Sequence, residues 1–196
     1  MTLVLNTKRL AIKPIARDDR DALHQFWTDV DVRRYLWDGK VISSSQVEDI
    51  IATSESLFAE VGLGLFSLCL VEETSGENSL VGFCGYQMGE ISGTYPVSPQ
   101  GDSIAQSKPE VPSKAELLYG ILPQYWGLGL VSEATREVLR YGFVEKNLEE
   151  VVAATDTPNQ RSVTVMQRLG MTFEERREYH GLDTVFYSLN RHQFLS

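Results

Sequence analysis

Trp126-Gly127-Leu128-Gly129-Leu130-Val131 is the stretch that decides how this chain folds. The apolar run Leu117-Leu118-Tyr119-Gly120-Ile121-Leu122 leads into it, and a helical pattern starting at Ser132-Glu133-Ala134 leads out. That order reads as strand, glycine turn, helix. Glycines at such a turn let backbone N–H groups approach an anion closely, and the N-terminus of the following helix adds partial positive charge. The turn therefore predicts a phosphate-bearing ligand.

Upstream, residues 8–15 alternate in polarity and predict a first strand. Asp18 or Asp19 is placed to cap a helix with Leu23, Phe26, Trp27 and Val30 on one face. An aromatic, glycine-ended loop, Tyr35-Leu36-Trp37-Asp38-Gly39, breaks it. Ser44 caps a second helix, whose apolar positions run from Val47 to Val61 at helical spacing and stop at Gly62 and Gly64. Residues 65–71 and 80–88 read as a hairpin around the polar turn 73–78. Residues 89–113 are rich in Gly, Ser and Pro and read as a long loop, either a substrate lid or an insertion.

Downstream, residues 115–122 form the fourth strand and 150–155 the fifth. A helix capped by Asn159 carries Val163, Met166 and Leu169 and closes at Gly170. Strands over 171–179 and 184–189 flank His180-Gly181. The expected architecture is one α/β (α+β) domain over residues 1–196, a mixed central sheet of about seven strands with about four helices.

Composition narrows the classes. The net charge of −9 argues against a broad basic surface for nucleic acid. No run of about 18 uncharged apolar residues predicts a membrane span. The first residues lack the apolar run of a signal peptide, so a cytoplasmic setting is expected. Cys69 and Cys84 lie in apolar strands without metal-type spacing and read as buried thiols; no metal is expected.

Glu116 to Gly129 resembles the central motif of the GNAT acetyltransferases, above all the RimJ/RimL-like N-acetyltransferase branch. Asn159-Gln160-Arg161-Ser162 through Leu169-Gly170-Met171 resembles the family's second hallmark, and Thr7-Lys8-Arg9-Leu10 its opening. The resemblance spans nearly the whole chain. It implies acetyl-CoA as donor and a primary amine as acceptor, either a protein N-terminus or a small molecule. It also implies that the fourth and fifth strands splay near Gly120 and Ile121 to admit the pantetheine arm. Tyr119, Gly120 and Ile121 would bond that arm through their backbones, with the Ile121 N–H polarising the thioester carbonyl. Trp126, Gly127, Leu128, Gly129, Leu130, Val131 and Ser132 would cradle the pyrophosphate. Asn159 and Ser162 would reach the pantetheine.

Glu116 is the candidate base, since attack requires a neutral amine. Trp27, Tyr35 and Trp37, together with Glu116, are the candidate acceptor-binding residues, with His24 a further one. Neither cysteine is placed as a nucleophile, so direct transfer in a ternary complex is expected. Departures from the family pattern are Trp126, Val131, Met171 and, most consequentially, Met166, which stands where many members carry a proton-donating tyrosine. Met166 also motivates an alternative, a catalytically silent CoA-binding or sensor protein. A dinucleotide-binding enzyme is disfavoured, because Gly127-x-Gly129-x-x-Ser132 lacks the third glycine. A monomer and a homodimer are both open.

Overall fold

A computed structural model describes residues 3–71, 80–88 and 114–196. The polar turn at 73–78 and the loop at 89–113 lie outside the described residues. The strands are β1 (Leu5–Asn6), β2 (Leu10–Pro14), β3 (Leu65–Leu70), β4 (Leu80–Gln87), β5 (Lys114–Ile121), β6 (Glu150–Asp156), β7 (Thr172–Tyr179) and β8 (Leu182–Asn190). The helices are α1 (Arg20–Thr28), α2 (Ser44–Val61), α3 (Leu130–Arg140), α4 (Gln160–Arg168) and α5 (Arg191–Leu195). The eight strands form one mixed sheet in the order β1-β2-β3-β4-β5-β6-β8-β7. The α/β class is as expected. The additional strand is β1, a two-residue pairing with β2 too short to leave a periodic signal.

Every neighbouring pair is antiparallel except β5 and β6. Those two run parallel and pair only from Lys114↔Glu150 to Glu116↔Val152. Beyond that point β5 stays on β4 as far as Gly82↔Ile121, and β6 stays on β8 as far as Asp156↔Thr184. The sheet therefore opens into a V with Glu116 at its apex, a few residues before the point expected from sequence.

Strand alternation sorts the core onto two faces. Leu65, Phe83 and Leu118 meet Leu23, Phe26 and Trp27 of α1 and Val47 and Ile51 of α2. Cys84, Tyr86, Leu117 and Ile121 meet Leu130, Ala134 and Val138 of α3 and Met166 of α4. Both cysteines are buried free thiols.

Local signals differ from expectation at three helix starts. Ser43, not Ser44, caps α2, because it forms the reciprocal capping box with Gln46. Asp19 stands at the N-cap of α1 without capping it; its carboxylate instead accepts the Ala16 N–H at 3.0 Å, closing the preceding 3-10 turn. The helix after the glycine turn starts at Leu130 rather than Ser132, so Val131 and Ser132 belong to its first turn. Asn159 caps α4 as expected, accepting the Ser162 N–H at 3.3 Å.

Candidate active site

The opening of the V is one wall of a cleft of about 390 Å3. Leu117 to Ile121 of β5 line it, facing Ala154 and Thr155 near the end of β6, the α4 cap Asn159, and Arg161, Ser162, Val165 and Arg168 of α4. The glycine turn and the start of α3 form one end. Asp31, Val32, Arg34, Tyr35 and Leu36 form the other.

Ladder register decides which backbone groups reach this space. Leu122 N–H bonds Val81 C=O at 2.9 Å, continuing the β4–β5 register. Hydrogen-bonded and non-bonded pairs alternate in an antiparallel ladder. Gly120, opposite Phe83, therefore turns its N–H and C=O toward β4. Tyr119 and Ile121 turn theirs toward the gap left by β6. Polar backbone groups at a sheet edge require partners: the Ile121 carbonyl has Trp126 Nε1, and the Tyr119 N–H and C=O and the Ile121 N–H are placed to pair with an extended ligand bearing amides. Gly120 contributes by lacking a side chain: a Cβ there would meet Phe83 at 3.0 Å and Phe26 at 3.3 Å.

The turn is shaped by two left-handed glycines, Gly127 (φ 77°) and Gly129 (φ 75°). L-residues avoid this region. A Cβ at Gly127 would meet nothing within 4 Å, so the glycine answers backbone conformation rather than crowding. Gly127, Gly129, Leu130, Val131 and Ser132 line the cleft. Leu128 is exposed, and its carbonyl accepts Arg9 Nη1 at 2.9 Å. The same arginine pairs with Glu133 in the first turn of α3. Burial pushes the Glu133 carboxyl up, but hydrogen bonds from Thr7 and Arg9 and the Arg9 charge outweigh it and hold it below its ordinary value. Arg9 thus ties the turn to the start of β2. The Thr7-Lys8-Arg9-Leu10 motif hints at this role only through family resemblance, since its partners lie more than a hundred residues away.

Trp126 lines the cleft, and its Nε1 donates to the Ile121 carbonyl at 3.0 Å. The Arg161 guanidinium lies 4.1 Å from the centre of its ring. Across the gap, the Tyr119 hydroxyl meets Ser162 Oγ at 2.8 Å and donates to the Ser162 carbonyl at 3.2 Å. This bridge joins β5 to α4 where the strands have parted. Burial pushes the Tyr119 phenol well above its ordinary range, against the Ser162 hydrogen bond that lowers it. Asn159 Nδ2 donates to Thr155 Oγ1 at 2.9 Å, which leaves its second N–H and a lone pair for a ligand.

Glu116 is buried at the apex of the V, one strand step below Leu118 on the same face; the lining of the cleft begins at Leu117. Burial raises its carboxyl to about 7, against a weak lowering from Gln87 Nε2, which donates at 3.3 Å. Tyr35 lines the cleft, whereas Trp27 does not. Trp27 is fully buried, edge-on to Phe83 at 5.4 Å and to Trp37 at 5.6 Å. Trp37 packs against this same core and is absent from the cleft wall. The aromatic pattern of the first helix was thus a core signal. His24 Nε2 lies 3.1 Å from the Ile42 carbonyl and braces the loop before α2. Arg9, Arg34, Arg161 and Asp31 are site residues that sequence reading passed over; isolated charges carry no periodic signal.

Residues 9–172 match the Acetyltransferase (GNAT) domain family. The chain is 26% identical to an uncharacterized N-acetyltransferase, p20 of Bacillus licheniformis, over 97% of each chain. It is 24% identical to an Aspergillus fumigatus FsC-acetyl coenzyme A-N(2)-transacetylase, covering 97% of this chain and 77% of that one. Among solved structures, RimL, a ribosomal-protein alpha-N-acetyltransferase in complex with coenzyme A, superposes with a TM-score of 0.73 at 16% identity, over 96% of this chain and 98% of that chain. With an open eight-stranded sheet parted at one parallel pair and a glycine turn at the mouth, this protein is an acetyltransferase in class. The chain belongs to the GNAT acetyltransferase family. No helix among the described residues is long and apolar enough to cross a membrane, and none of their His, Cys, Asp and Glu side chains form a metal-binding group.

Proposed function

We propose that the chain transfers an acetyl group from acetyl-CoA to a primary amine by direct attack within a ternary complex. The observation that carries this reading is the backbone of Tyr119 and Ile121, facing a gap where β6 has left the ladder. The pantetheine arm, with amides along an extended chain, completes that ladder. The thioester carbonyl then meets the Ile121 N–H. A fixed donor at a developing oxyanion is worth about 3 kcal/mol of barrier. The diphosphate lies over the turn from Gly127 to Ser132, at the N-terminus of α3.

The acceptor enters from the end formed by Asp31, Arg34, Tyr35 and Leu36. Its nitrogen attacks the carbonyl carbon, the C–S bond breaks, and the thiolate leaves. Glu116, with its carboxyl raised to about 7, takes the proton of the attacking amine through water. Met166 is fully buried and has no proton to give. Coenzyme A leaves as a thiolate, a weak enough base to depart without an acid, and then takes a proton from water. Neither Cys69 nor Cys84 lines the cleft, and burial raises both thiols, which supports direct transfer over a covalent acetyl-enzyme.

Thiol release from acetyl-CoA over a panel of peptide N-termini, polyamines and amino acids tests the reading. The expected result is release matched by an acetylated amine. Binding of acetyl-CoA with no release from any acceptor would replace the enzyme with the silent CoA-binding alternative.

A further inference from the structure

At the end of the cleft away from the glycine turn, Asp31 and Arg34 form an ion pair, Arg34 Nη2 to Asp31 Oδ1 at 3.1 Å. Both line the cleft, and both side chains keep an open face, 41% exposed for Asp31 and 58% for Arg34. This contact uses one carboxylate oxygen and one nitrogen of the guanidinium fork, which has further N–H groups to give. The cleft residues next to the pair in the chain, Val32 and Leu36, are apolar. So are Leu117 and Leu118 of β5, which follow Glu116 along the wall.

The segment that carries the pair is held from both sides. Asp29 Oδ1 accepts the N–H groups of Asp31 at 2.9 Å and Val32 at 3.1 Å. Arg33 Nη1 donates to the Gly39 carbonyl. Trp37 stands at φ 54°, a left-handed value that a bulky side chain adopts only where packing enforces it. Its ring packs edge-on against the buried Trp27 at 5.6 Å. The cleft is thus offered one fixed charge of each sign, side by side, in front of apolar lining.

Such a pair selects acceptors by charge. A polyamine gains from Asp31 but is repelled by Arg34. An acceptor whose remote group is a lone carboxylate gains from Arg34 but is repelled by Asp31. A peptide N-terminus brings a neutral amide behind its amine and uses neither charge. A zwitterionic head, with an ammonium and a carboxylate on one carbon, matches both. The apolar lining suits the methylenes that join such a head to a second amine. We propose that the acceptor is a free α,ω-diamino acid of the lysine or ornithine type. Arg34 holds its α-carboxylate, Asp31 holds its α-ammonium, and the ω-amine is acetylated. This deepens the proposed function and rests on it. The ω-nitrogen forms the new C–N bond as the C–S bond breaks, and its proton passes to Glu116 through water. The α-amine stays protonated on Asp31 and does not react, so the pair sets which of the two amines is modified.

Acetyl transfer by the full chain to matched acceptors tests this, with mass spectrometry locating the acetyl group. Lysine and ornithine are each compared with the diamine that lacks the α-carboxylate (cadaverine, putrescine) and with the ω-amino acid that lacks the α-amine. A short peptide N-terminus completes the set. Each truncated acceptor is expected to lose at least about tenfold in kcat/KM against its diamino acid, the scale of one charge-assisted hydrogen bond. Arg34→Ala lowers kcat/KM for the diamino acid by a similar factor and raises it for the diamine. Asp31→Asn lowers it for the diamino acid and raises it for the ω-amino acid. Arg34→Lys keeps the charge and recovers part of the loss. Melting curves establish that each variant is folded, and the wild-type series decides by itself where one is not. Losses shared equally by every acceptor overturn the proposal, since they mark a purely structural pair. Acetylation of the α-amine overturns it, as does a wild-type preference for the diamine, the ω-amino acid or the peptide. Transfer to no amine at all fails the proposed function itself; transfer to other amines with the diamino acids rejected fails this inference alone.

Discussion

Arg9 and Glu133, 124 positions apart, are joined by a 2.6 Å ion pair that fastens the glycine turn to the start of β2. The Arg9 backbone N–H also bonds Glu133 Oε1 at 3.1 Å, and its Nη1 holds the Leu128 carbonyl. One side chain thus grips the turn and the first turn of α3 together, so the N–H groups at the start of the helix are set in advance.

Arg9→Ala removes this grip. Half-exposed ion pairs contribute little to stability, so the loss is about 1 kcal/mol or less. Donor affinity is expected to fall more than the melting temperature. Titration with coenzyme A alongside thermal unfolding separates the two; a large stability loss with unchanged affinity would contradict pre-organisation of the turn.

Gly129→Glu puts a side chain on a left-handed residue, at about 1–2 kcal/mol of strain. Space is available, since a Cβ there meets only Arg9 Nη2, at 3.8 Å. The variant folds, and its carboxylate repels the diphosphate. Coenzyme A binding is expected to disappear from a cooperatively unfolding protein. Unchanged affinity in calorimetry would remove the turn from the donor site.

Tyr119→Phe deletes the hydroxyl that bridges β5 to Ser162. A net hydrogen bond of about 1 kcal/mol is lost, and the wall of the V loosens where the pantetheine arm enters. The KM for acetyl-CoA is expected to rise severalfold. Ser162→Ala in the same background adds little, because the Oγ partner is already gone; fully additive effects would show that the two residues act separately.

Glu116 makes both stability and rate depend on pH. Its carboxyl is raised from 4.5 to about 7 in the folded chain, chiefly by burial. The folded state therefore binds this proton more tightly than the unfolded state does. The associated stability is full below pH 4.5 and is lost as pH rises through about 7, by about 3 kcal/mol in all. Glu116→Gln abolishes that decline, so denaturant unfolding at pH 5 and pH 8 gives nearly equal stabilities. As the base, Glu116 acts in its ionised form, and wild-type turnover climbs through about pH 7. The Gln variant turns over slowly at neutral pH and approaches wild type only where the amine is already neutral. Superimposable pH–rate profiles would exclude Glu116 from proton transfer.

Much of this was legible in the chain. Helical spacing from Val47 to Val61 and apolar runs at 65–71 and 80–88 mark α2, β3 and β4, because local burial patterns are periodic. Helix starts are less legible. Ser43 and Ser44 are equivalent as residue types, and the choice fell to whichever met Gln46 across the capping box. Aromatic residues carry the same sequence signal in an acceptor wall and in a core, and Trp27 and Trp37 pack in the core.

The sequence by itself determined the order of elements, the glycine turn and the cap at Asn159. These depend on residues within a few positions of one another, where backbone preference and short-range hydrogen bonds decide. Only the tertiary structure decided the rest. That β5 and β6 part after Glu116, that Arg9 meets Glu133, that Tyr119 reaches Ser162 and that Arg161 lies on Trp126 are contacts between elements distant in the chain. Their geometry follows from packing and register, which no local pattern encodes.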